Sequence, residues 1–231
     1  MSKKNPMPII MVVTLVVVGL ISALVVLGNQ KQSAGESNSN STTVSESPSI
    51  KKHPTMGEDN APVQIIEFGD YKCPACKKWS ERVYPQLKEE FIDTGKANFT
   101  YINTPFHGEG SKLAAQAGEA VYKQKPEAFW DFHKALFEAQ PDVNHDQKWL
   151  SDEKVLEVAE ESVPSIDLTQ MRQDLHSGAI SQEVQNDTDL VNEYDVQQTP
   201  TIMINGQILE NPFDYKAITS LINQNLEDNN G

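Results

Sequence analysis

The pattern of hydrophobic and polar positions divides the chain into unlike parts. Residues 9–27 form an uncharged run of 19, interrupted only by Thr14, Gly19 and Ser22. At about 1.5 Å per helical residue this is close to the thickness of a bilayer core. Lys3 and Lys4 precede the run, which closes on Val25, Val26 and Leu27 without an A-x-A site and without a following cysteine. An uncleaved membrane anchor over 1–28 is therefore expected, in preference to a cleaved signal or a lipid-modified cysteine. The lysines before it leave the N-terminus in the cytoplasm and send the remainder out. Residues 29–55, rich in Ser, Asn, Thr and Gln, have little to bury and read as a flexible linker.

From Met56 the periodicity is that of a folded domain. Residues 63–68 are short, β-rich and mostly apolar, as a buried strand requires. A helical pattern follows over 74–91, with Trp79, Val83, Leu87 and Phe91 at four-residue spacing and Pro85 placed to kink it. Residues 97–102 form a second strand, so strand, helix and strand make a βαβ unit with parallel strands. The period then turns helical over 111–123, 126–139, 151–162, 168–176 and 179–194. Strands at 201–204 and 207–209 flank Asn205-Gly206, a strong hairpin signal, and an amphipathic helix over 214–226 closes the chain. The order is that of an α/β domain over 56–231 with a block of helices at about 106–178.

Charge sharpens this division. Five lysines and two glutamates up to residue 55 give +3, leaving 14 basic and 31 acidic residues, −17, in the domain beyond. Nucleic acid is a poor partner for such a surface, since its binding rests on Lys and Arg neutralising phosphates. The chain has two cysteines, which a domain of this size does not need as staples.

Those cysteines form Cys73-Pro74-Ala75-Cys76, where the first strand gives way to the long helix. Zinc would need two more ligands, and His53, His107, His133, His145 and His176 show no matching spacing. Haem attachment would need a histidine where Lys77 stands. A structural disulfide closing so small a loop would stabilise little. A dithiol redox centre fits better: a cysteine at a helix N-terminus faces unpaired N–H groups that favour its thiolate. Lys72, Lys77 and Lys78 add positive charge nearby, opposed by Asp70 and Glu67. Asp142-x-Asn144-x-Asp146, with Glu153 in twelfth place, echoes a calcium loop, but Gln147 stands where the turn glycine belongs. A solvated acidic loop is the preferred reading there, and His107, Trp130 and His133 read as helix-entry and core residues.

The stretch Glu67-Phe-Gly-Asp-Tyr-Lys-Cys-Pro-Ala-Cys-Lys-Lys-Trp79 resembles the active-site segment of the DsbA-like branch of the thioredoxin superfamily. Gln198-Thr-Pro-Thr-Ile-Met-Ile-Asn-Gly206 is similar to the segment carrying that superfamily's cis-proline, and Ala128–Phe137 to its inserted helices. With anchor and linker, the chain resembles the membrane-tethered, BdbD-like thiol-disulfide oxidoreductases. The resemblance implies a thioredoxin fold with a helical insertion and no cofactor beyond a redox-active disulfide. It implies that Cys73 is the attacking cysteine, Cys76 the resolving one, and Glu67 a buried acid able to take the Cys76 proton. Without the resemblance, Glu67 reads as a solvated edge-strand carboxylate. Client peptide would lie against Pro74, Ala75, Thr199 and the cis-proline, Pro200. Unfolded secreted or membrane proteins would be the clients and a membrane quinone-linked thiol oxidase the reoxidant. The departure is Ala75, where the strongest oxidants of that branch carry a histidine. A dithiol oxidase is the leading reading. A reductase, as in cytochrome maturation, is distinguished by its reduction potential, and a tethered peptide-binding or chaperone module by lack of exchange.

Overall fold

The computed structural model of the protein describes residues 41–43, 46–143 and 147–229. The expected anchor over 1–28 and the first part of the linker lie outside the described residues. Among the described residues, no helix is long and apolar enough to cross a membrane.

The predicted βαβ unit is present. Strands β3 (Val63–Gly69) and β4 (Ala97–Asn103) pair in parallel, with Glu67 beside Tyr101. Between them run α1 (Pro74–Arg82), α2 (Tyr84–Leu87) and a π-helical turn, Lys88–Ile92. The break at Val83 follows from Pro85, which has no N–H to return to the carbonyl four residues back. Strands β5 (Thr201–Ile204) and β6 (Gln207–Leu209) form the hairpin, with Asn205 and Gly206 at φ 44° and 80°. Strand β5 lies antiparallel to β3. Two short strands complete the sheet: β1 (Ser41–Thr43) on β6 and β2 (Thr55–Met56) on β4, in the order β1-β6-β5-β3-β4-β2. Strand β1 falls inside the stretch that composition reads as linker. An edge strand is held by backbone hydrogen bonds, so polar residues are no obstacle to it.

Alternation along the strands creates two different faces. On one, Val63, Ile65, Phe99, Ile202 and Ile204 pack with Trp79 of α1 and with Ile218 and Ile222 of α8 (Tyr215–Asp228). On the other, Ile66, Phe68, Ile102 and Met203 pack with Val191 of α7 (Gly178–Glu193). The helices α3 (Glu109–Gln124), α4 (Phe129–Glu138), α5 (Asp152–Ser162) and α6 (Leu168–Asp174) form the predicted block between β4 and α7. Their core reaches the sheet end through Tyr71, Cys73, Cys76 and Tyr101, so the cysteine motif sits where sheet and helical block meet. His133 is buried as expected, while Trp130 is half-buried and packs against the core; the His133 ring lies 3.0 Å from the Tyr71 hydroxyl, and burial holds its pKa down at about 3.

Candidate active site

Strand β3 delivers the motif. After Gly69 the chain leaves the sheet, Cys73 N–H bonds back to Asp70 O at 3.0 Å, and Cys73 becomes the N-cap of α1 with Pro74 in the first turn. Proline costs nothing at that point because its missing N–H has no intrahelical partner to lose. Cys73 is only 5 % exposed and Cys76, one turn deeper, is wholly buried; neither is disulfide-bonded in this structure.

The two sulfurs have opposite acidities. Hydrogen bonds from the Cys76 thiol, from the Thr199 side chain and from the Cys76 and Ala75 amides outweigh burial and bring the Cys73 thiol from near 9 down to about 5. When protonated, Cys73 Sγ donates to the Thr199 carbonyl at 3.2 Å. Burial first, and then the bond to Cys73, push the Cys76 thiol well above its ordinary range, although Asp70 N–H reaches its sulfur at 3.4 Å. Two of the three lysines expected to help the thiolate are turned elsewhere. Lys77 Nζ binds Gln140 O and Asp142, each at 2.7 Å, and Lys72 Nζ points to His107 O at 3.4 Å. Local donors therefore do the work that the absent histidine at Ala75 does not.

A depressed thiol has a measurable consequence. The thiolate is the alkylated species, so alkylation of the reduced protein should titrate at Cys73 with a midpoint near pH 5, leaving Cys76 unmodified. The same shift links to stability. A thiol lowered in the folded state stabilises the reduced protein by an amount complete above about pH 9 and lost as pH falls through about 5. The melting temperature of the reduced form, relative to the oxidised form, should therefore rise with pH across that window.

The remaining residues expected at the site gather around this pair. The Thr199–Pro200 peptide is cis, with Thr199 half-buried against Cys73 and Pro200 buried. Pro74 and Ala75 are half-buried beside them. Glu67 is not a solvated edge carboxylate. It lies on an interior strand, wholly buried, and neither oxygen has a hydrogen-bond partner. Burial, reinforced by Cys73, raises its pKa well above the carboxylate range, so it is held as the neutral acid. Of the calcium-like loop, Asp142 is held by Lys77 and Glu153 faces Arg172 at 3.8 Å, while 144–146 lie outside the described residues. Among the described residues, no group of three or more His, Cys, Asp or Glu side chains is arranged to hold a metal ion.

Asp70 carries a structural role that the charge pattern did not show. It is 2 % exposed, and its carboxylate accepts from Lys72 N at 2.8 Å, Phe106 N at 2.9 Å, His107 N at 3.1 Å and Ser111 Oγ at 3.0 Å. The His107 ring completes the set, with Nδ1 2.7 Å away. One buried carboxylate thus joins the turn before Cys73 to the loop between β4 and α3. Gln140 fastens the turn from the other side, donating to Tyr71 O at 2.7 Å.

Comparison with known proteins agrees with this arrangement. A thioredoxin family profile matches residues 49–224. The chain is 41% identical over 184 residues to disulfide bond formation protein D of Bacillus subtilis, covering 80% of this chain and 82% of that protein. It is 37% identical over 216 residues to the probable disulfide bond formation protein D of Bacillus cereus, covering 94% and 93%. The oxidised crystal structure of BdbD from Bacillus subtilis superposes with a TM-score of 0.76 at 40% identity, covering 80% of this chain and 98% of that one. Chlamydia trachomatis DsbA superposes at 0.67 with 25% identity, covering 77% and 93%. The chain therefore belongs to the thioredoxin family, in its DsbA-like branch of protein thiol-disulfide oxidoreductases with a helical insertion, and Cys73–Cys76 is its redox pair.

Proposed function

We propose that the protein is an extracytoplasmic, membrane-anchored dithiol oxidase that introduces disulfides into unfolded secreted or membrane proteins. The observation carrying this reading is the contrast between the two thiols. With Cys73 at about 5, the reduced enzyme holds about a hundred thiolates per thiol at pH 7. Stabilising the reduced form makes the disulfide a stronger oxidant, and a low-pKa sulfur is also the better leaving group.

The exchange begins when a client thiolate attacks Cys73 of the oxidised pair. The Cys73–Cys76 bond breaks, a client–Cys73 disulfide forms, and Cys76 leaves as a thiolate that takes a proton. Glu67, neutral and buried beneath the motif, supplies that proton and takes it back on reoxidation. A second client thiolate then attacks the client sulfur. The client disulfide forms, Cys73 departs as its stable thiolate, and the enzyme holds the two electrons. A membrane quinone-linked thiol oxidase accepts them. Thr199, beside the cis-proline and against Cys73, is placed to meet the client backbone, with Pro74 and Ala75 completing the contact.

The test is a Cys76→Ser trap. Serine cannot displace a client from Cys73, so the full chain in its own membrane should accumulate mixed disulfides at Cys73 with clients and with the reoxidant. Absence of any adduct sinks the reading. A reduction potential near about −270 mV, that of thioredoxin, would reverse its direction. The role of Glu67 is tested separately. Glu67→Gln should slow the exchange step by about 10²-fold, the usual scale of a lost acid or base. It should leave the melting temperature unchanged or raised, because no hydrogen bond is lost. A variant as fast as the parent excludes the role.

A further inference from the structure

Beside the cysteine motif lies a cavity of about 580 Å³ whose character is opposite to that of the domain around it. It is lined by Lys72, Lys112 and Lys148, three of the 14 basic residues of a domain with 31 acidic ones. Lys72 immediately precedes Cys73. Its stem lies over Gly110 at the start of α3, and the Asp70 carboxylate fixes its backbone. Lys112 and Lys148 are exposed, and neither has an acidic partner among the described residues. Two carboxylates also face the cavity. Glu109 and Asp152 oppose the lysines, Asp152 being bonded to His176 at 2.7 Å, so the lysines outnumber the carboxylates by three to two. The His107 ring is bonded to Asp70. Apolar surface comes from Leu113, Leu150 and Trp149. Lysines beside apolar side chains suit a carboxylate carried on a short aliphatic arm.

Resting on the oxidase reading above, we propose that this cavity is a client subsite that takes the Asp or Glu side chains flanking a client cysteine while that cysteine is at Cys73. Consecutive Cα atoms are about 3.8 Å apart, so a ligand held beside Lys72 lies within a few residues of a sulfur bonded to Cys73. The subsite gives the enzyme a preference that its net charge does not. Long-range repulsion from the −17 domain favours basic clients, whereas short-range pairing in the cavity favours acidic segments.

The two forces have opposite signs, so one experiment separates them. Three dithiol peptides, identical except for Glu, Gln or Lys around each cysteine, are oxidised in single turnovers by the oxidised full chain at low ionic strength. The Glu peptide should react about 3–10-fold faster than the Gln peptide, the scale of one or two partly exposed ion pairs. The advantage should fade in about 0.5 M salt, where charges are screened within about 3–5 Å. Lys112→Glu combined with Lys148→Glu should invert the ratio, while Lys112→Arg with Lys148→Arg keeps it. Cysteine-free analogues of the same peptides, titrated by Trp149 fluorescence with Trp149→Phe as reference, should rank Glu above Gln above Lys. Equal ratios, or faster reaction and tighter binding of the Lys peptide, overturn the subsite. Failure of all three dithiol peptides to exchange, with the Glu analogue still bound, overturns the oxidase reading and leaves the acid-binding cavity standing.

Discussion

Cys73→Ser is expected to lose disulfide introduction by at least about 10³-fold, measured as the initial rate of disulfide formation in a reduced client. The loss is expected to be close to complete for three reasons. The serine hydroxyl forms no mixed disulfide, and the pair has no third cysteine to relay electrons. Cys76 does not take over, because it is wholly buried and its thiol is pushed up, leaving it neither reachable by a client nor ionised. The fold should survive, since Cys73 has its backbone bond to Asp70 O and no disulfide in the reduced state. Circular dichroism and melting of the variant should therefore match the reduced parent below about pH 5. Above that the parent should gain stability that the variant lacks, because its Cys73 thiolate is favoured only when folded. Substantial residual oxidation by a folded Cys73→Ser protein would rule out Cys73 as the exchanging sulfur.

Much of this arrangement is legible in the sequence because it rests on strong local signals. The short, β-rich runs at 63–68 and 97–102, four-residue spacing from Trp79 and the Asn205-Gly206 turn each report a backbone preference directly. The break ahead of Pro85 and the N-terminal placement of Cys73 follow from single residues with few conformational options. Other features depend on partners far along the chain. Strand β1 is polar and short, and only its pairing with β6 reveals it. Lys77 reads as charge near a cysteine, yet in the fold its ammonium is spent on Gln140 and Asp142, some 65 residues away. The acidity of Cys73 draws on Cys76 first but also on the Thr199 side chain, 126 residues along the chain from it. Glu67 shows the same limit. Its charged letter in an apolar run fits a solvated edge as well as a buried acid, and only the interior place of β3 in the sheet separates them.

Asp70 is the sharpest case of a role set by tertiary contact, and its removal should have the second large effect. Asp70→Ala leaves the Lys72 amide and the Ser111 hydroxyl without an acceptor, leaves the Phe106 and His107 amides with only Thr104 O and Ser111 Oγ, and deprives the His107 ring of its partner, at a site 2 % exposed. Stripping one member from a buried, hydrogen-bonded charge network costs about 3–5 kcal/mol. For a domain of this size, each kcal/mol moves the melting temperature by about 2–4 °C. A fall of about 10 °C is expected by calorimetry. Asp70→Asn separates the contributions. It keeps the shape and an acceptor oxygen, so it should recover roughly half of the loss, while losing the charge that strengthens each bond. The effect should also reach the chemistry. Asp70 O and Asp70 N–H touch Cys73 N–H and Cys76 Sγ, so loosening this turn slackens the donors around the thiolate. The alkylation midpoint of Cys73 in Asp70→Ala should then move up from about 5 toward the ordinary thiol value near 9. A variant that melts with the parent and alkylates at the same midpoint would show that the β3–α1 turn holds its shape without this carboxylate.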